Sequence, residues 1–69
     1  METLVNNQTE KKVLSMNELE SIMILGHLAG RKGDIAESLK CYKKGLLLSI
    51  EIDDKKKVKE FSAMIMLTI

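Results

Sequence analysis

Leu25 to Leu48, LGHLAGRKGDIAESLKCYKKGLLL, reads as the end of one amphipathic helix, a tight Gly-Asp corner, and the start of a second helix folded back on the first. Arg31 and Lys32 suit the negative end of a helix dipole, and Gly33 can take the left-handed conformation that ends a helix. Asp34 is placed to cap the next helix, and Glu37 completes a capping box with it. This stop-and-start signal points to an all-α chain: an antiparallel helical hairpin with a third helix as its cover.

Upstream, residues 1–14 read as a lead-in, polar at first apart from Met1, Leu4 and Val5, and expected to fray. Ser15 with Glu18 makes an S-x-x-E box, so helix one is assigned to residues 15–32, with Thr9 to Leu14 as a lead-in turn or a continuation. Leu19, Ile22, Leu25, Gly26 and Ala29 share one face, and Ile24 and Leu28 form a second apolar stripe beside it. A surface this wide implies contacts on two sides. Either Leu4, Val5, Val13 and Leu14 fold back over the second stripe, or another chain covers it.

Downstream, helix two is assigned to residues 34–52, with Ile35, Leu39, Tyr42, Leu46 and Ser49 on one face and Ser38 and Gly45 among them. Small residues at Gly26, Ser38 and Gly45 would let two antiparallel backbones approach closely. Cys41, Leu48 and Ile52 form another stripe. Asp53-Asp54 then starts helix three, residues 54–69. Its lysines (Lys55, Lys56, Lys57, Lys59) are balanced by Glu51, Asp53, Asp54 and Glu60, which leaves a solvated helix start and no basic patch. Val58, Phe61, Ile65, Thr68 and Ile69 give one face, while Ala63, Met64, Met66 and Leu67 leave almost no polar side.

The 69 residues make one domain, and a chain this short buries only ~60% of the surface it exposes when unfolded. An apolar fraction of 45% argues against disorder, and a net charge of +1 argues against a nucleic-acid or acidic-membrane partner. One cysteine excludes an internal disulfide, and one His with one Cys cannot make a structural zinc site. Oligomerisation is the remaining common route to stability, so a homo-oligomer is expected. The apolar runs Ile22 to Leu25 and Ala63 to Leu67 fall far short of the ~20 residues that span a bilayer. METLVNNQTE has no basic leader before an apolar run, so a cytoplasmic protein without membrane insertion is expected.

Taken together, residues 19–69 resemble a tetratricopeptide (TPR) repeat, a helix-turn-helix of about 34 residues with a W-x2-L-G-x2-Y…A-x3-F…P pattern. Leu25-Gly26 match the Leu-Gly pair and Gly33-Asp34 the corner frequent in such repeats. Ile22 stands where Trp is common, and Ala29 replaces the first Tyr. Ser38 stands for the small Ala, Tyr42 for the aromatic and Gly45-Leu46 for the closing Ala-Leu, while Ile50 replaces the terminal Pro. Phe61, Met64, Ile65 and Thr68 sit where the first helix of a following repeat would place its core. Stability in that family takes about three or more stacked units, so a single repeat implies self-association or a piece of something longer. The chain is also similar to the microtubule-interacting-and-trafficking (MIT) domain, a three-helix bundle, from Gly33-Asp34-Ile35 through Tyr42-Lys43-Lys44. Its second helix is a few residues short for that family. Ala63-Met64-Ile65-Met66 also departs from the Arg-Ala-Glu-like stretch by which MIT domains hold partner helices.

His27 tempts as a catalytic residue, but no Asp, Glu, Cys or Ser is arranged beside it in the pattern. Cys41 lies beside an apolar stripe and reads as an inert thiol. Gly26, Gly30 and Gly33 lack the strand and spacing of a phosphate loop, and Lys32 is followed by Gly33 where that loop needs Ser or Thr. No catalytic residue, cofactor or metal is therefore expected. Met23, Met64 and Met66 have two readings, since methionine fills irregular cores and also lines adaptable binding surfaces. The expected role is binding of a protein, peptide or second copy, with Met23, His27, Arg31, Met66 and Ile69 as the contact residues.

Overall fold

The corner after the first helix forms from local interactions alone. In a computed structural model, which describes the backbone of residues 2–69 and the side chains of residues 14–69, Gly33 has φ of 82°. A Cβ there would crowd the following carbonyl. The Gly33 N–H donates to the Gly30 carbonyl at 3.0 Å and the Asp34 N–H to that of Ala29 at 2.9 Å, the paired bonds of a Schellman stop. The Asp34 carboxylate then accepts from the Glu37 N–H at 3.1 Å. The capping box is only half made, because the Asp34 N–H is already committed to Ala29 and leaves the Glu37 side chain no donor to reach.

The second corner repeats this device without a glycine. Asp53 takes φ of 57°, its N–H donates to Ile50 at 3.1 Å, and the Asp54 N–H donates to Ser49 at 2.9 Å. Asp54 caps the following helix by accepting from the Lys57 N–H at 3.2 Å. These corners separate α1 (Glu2–Arg31), α2 (Ile35–Glu51) and α3 (Lys55–Thr68), and no strand occurs among the described residues. The fold is all-α. α2 packs against both α1 and α3, while α1 and α3 barely meet.

Thr9 to Leu14 continue the helix, and the start assigned at residue 15 is corrected, since α1 starts at Glu2 and runs through the Ser15 position without a break. With neither proline nor glycine before Gly26, nothing in the chain interrupts the helix, and a serine is tolerated inside one. Leu14 is 67% exposed and does not cover the Ile24–Leu28 stripe. The side chains of Leu4, Val5 and Val13 lie outside the described residues.

The seam between α1 and α2 is narrow. Leu19, Ile22, Gly26 and Ala29 meet Ser38, Tyr42, Gly45 and Ser49, each set spaced by threes and fours. Gly30 stands beside the Ser38 hydroxyl and Gly26 beneath the Tyr42 ring, which fixes the antiparallel register. Ser38 Oγ donates to the Gly26 carbonyl across the seam at 2.9 Å. A Cβ on Gly26 would overlap the Tyr42 ring, and one on Gly45 would overlap the ring of Phe61, which α3 contributes. Leu19, Ile22, Tyr42 and Phe61 form the core, with Cys41, Leu46, Leu48, Ile52, Met64 and Ile65 packed around it.

Leu25 and Ile35 share the sequence stripes of buried residues but are exposed (55% and 47%). The buried stripe is about one side chain wide per turn: Ser38 crosses directly to the Gly26 carbonyl, and the Tyr42 and Phe61 rings take the space over Gly26 and Gly45. The larger neighbours are displaced to the flanks.

Candidate functional site

The face of α1 turned away from α2 carries large apolar side chains in the open. Ile24 is 57% exposed, Leu25 55% and Leu28 45%. At about 100° per residue Ile24 and Leu28 lie across the helix from the Leu19–Ala29 seam, and Leu25 lies on the flank beside Ala29. Along one edge of this face lies an open depression of about 570 Å³, lined by Ile24, His27, Leu28, Gly30, Arg31 and Tyr42. A smaller hollow of about 250 Å³ runs along the other edge, between Leu25 and Leu28 of α1, Lys32 of the corner, and Glu37 and Cys41 of α2.

His27 and Tyr42 are joined across the hairpin. The Tyr42 hydroxyl lies 2.8 Å from His27 Nδ1, and the rings meet edge-to-face with centroids 5.7 Å apart. Tyr42 is 2% exposed, so its hydroxyl needs a protein partner. With the ring proton on Nε2, the hydroxyl donates to Nδ1, and Nε2–H remains as the donor for anything bound in the depression. No carboxylate or thiol among the described residues is hydrogen-bonded to His27. Cys41 is half-buried against the core. Among the described residues no group of three or more His, Cys, Asp and Glu is gathered as a metal would need. None of the helices so described is long and apolar enough to cross a membrane.

Of the residues expected to contact a partner, the structure brings His27 and Arg31 together in one depression. Met23 is half-buried and packed on the core. Met66 and Ile69 are 77% and 88% exposed, with Leu67 at 80% between them, and form a separate apolar end on α3 that does not line the depression. Tyr42 is the lining residue that sequence reasoning placed only in the core. Its link to His27 spans fifteen positions and follows from the register of the hairpin, for which the sequence carries no local mark.

Comparison of the chain with family models, with curated proteins and with solved structures finds no match.

Proposed function

We propose that this chain is a non-catalytic protein–protein interaction module, a TPR-like hairpin with one extra helix, which binds a peptide, a helix or its own copy through the apolar faces of α1 and α3. The observation that carries the reading is where the large side chains sit. Ile24, Leu25 and Leu28 on α1 and Met66, Leu67 and Ile69 on α3 are exposed, while Gly26, Ala29, Ser38, Gly45 and Ser49 share the interior with only Leu19, Ile22, Tyr42 and Phe61 among the described residues. Soluble monomers seldom leave such patches bare. Covering Met66, Leu67 and Ile69 in full contributes ~1.5–3 kcal/mol each, and the half-covered Ile24, Leu25 and Leu28 contribute about half of that. The Gly33-Asp34 corner and the close approach at Gly26 support the TPR-like comparison. The His27–Tyr42 bond supports a non-catalytic reading of the histidine, because a buried hydroxyl's need for a partner accounts for it.

Light scattering across the micromolar range, with fluorescence-anisotropy titration of an amphipathic Leu-Lys helical peptide, tests this. Association or saturable binding is expected, and Leu28→Glu should remove it with helicity intact. A well-folded monomer that ignores the peptide would overturn the reading. Titration with short tails of trafficking proteins separates an MIT-type adaptor, which should bind them, from a TPR-like module of this kind, which should not.

A further inference from the structure

We infer that the exposed face of α1 receives a second copy of this chain, the two α1 helices lying antiparallel about a twofold axis near Leu25. This rests on the interaction-module reading and names the partner. The observation behind it is the placing of charge around the apolar patch. Glu18 and Glu20 stand at one end of Ile24, Leu25 and Leu28, and Arg31 and Lys32 at the other, all four exposed. The ion pair found among the described residues is Lys57–Glu60, so none of these four is paired with another described residue.

The helical period assigns these charges to edges. Glu18, Leu25 and Lys32 recur every seven residues and share one edge of the face, whereas Glu20 and Arg31, eleven apart, share the opposite edge. An isologous contact sets each edge against the same edge of the partner with its direction reversed. Glu18 then faces the second copy's lysine at 32, and Glu20 its arginine at 31. The midpoint of the first pair is Leu25 and that of the second lies between Leu25 and Gly26, so one axis satisfies both edges. A parallel arrangement would oppose like charges at every one of these positions and is disfavoured. The apolar end of α3 has no comparable pattern, since after Glu60 that helix carries no charged residue.

Two charge-reversed variants test the pairing. Glu18→Lys with Glu20→Lys makes the patch wholly basic, and Arg31→Glu with Lys32→Glu makes it wholly acidic. Each alone should weaken self-association at least about tenfold, and an equimolar mixture should restore it as a heterodimer. The fourfold reversal should dimerise like the parent, which guards against a variant that merely misfolds; circular dichroism checks each. On a Cys41→Ser background, Glu18→Cys and Lys32→Cys proteins should form a disulfide readily when mixed and oxidised but poorly when alone. A parent chain that stays monomeric throughout the micromolar range overturns the inference. So do a dimer indifferent to both reversals and links that form within each cysteine variant alone. If the Leu-Lys peptide still binds a monomeric parent, the module reading survives while this one fails.

Discussion

Asp53 and Gly33 occupy equivalent places in the two corners, yet only one of them is the residue that a left-handed backbone prefers. Gly33 has open space around a built Cβ, so its replacement meets backbone strain alone. Gly33→Ala is therefore expected to destabilise by ~1 kcal/mol, and Asp53→Gly to stabilise by ~0.5–1 kcal/mol. For a domain of this size ~1 kcal/mol moves the thermal midpoint by about 4–8 °C, which circular dichroism resolves. Gly45 sets two effects against each other. Alanine would favour the helix by ~1 kcal/mol, but its Cβ would overlap the Phe61 ring, and Phe61 is 0% exposed and has nowhere to swing. Overpacking of that kind costs ~1–3 kcal/mol, so Gly45→Ala should lower the midpoint.

Among the elements, α3 depends most on a single side chain. Phe61 is its one buried residue, seated over Gly45 in the core shared with Leu19, Ile22 and Tyr42. Phe61→Ala is expected to cost ~3–5 kcal/mol, comparable to the ~3–10 kcal/mol that a chain this short has in total. Hydrogen exchange should then show α3 amides losing protection before those at the α1–α2 seam. Simultaneous loss over all three helices would instead make them one cooperative unit. α1 has the opposite character, because its exposed face can be altered without touching the seam.

The whole molecule is long and thin, about 48 × 19 × 13 Å, so no helix is surrounded by others. A layer this shallow explains how large apolar side chains remain outside once the narrow seam is filled by Leu19, Ile22 and Tyr42 with small residues between them. If a second copy supplies the missing layer, folding and association are linked by mass action. The midpoint of thermal melting should rise with protein concentration over the micromolar range. A midpoint unchanged on dilution would separate the two processes.

Helix ends were legible from the chain because caps are local: the Gly33-Asp34 and Asp53-Asp54 corners close through bonds reaching no more than five residues back. The Ser15–Glu18 box misled for the same reason, being a local signal inside a helix that nothing interrupts. The all-α class and the crossing of two helices at small residues followed from pattern and composition. Tertiary packing decided which apolar residues are inside. The sequence period marks a stripe but not its width, and the packed helices bury Ser38 and Ser49 while leaving Leu25 and Ile35 in the open. It also decided the company of His27, since the bond to Tyr42 depends on how far one helix slides along the other.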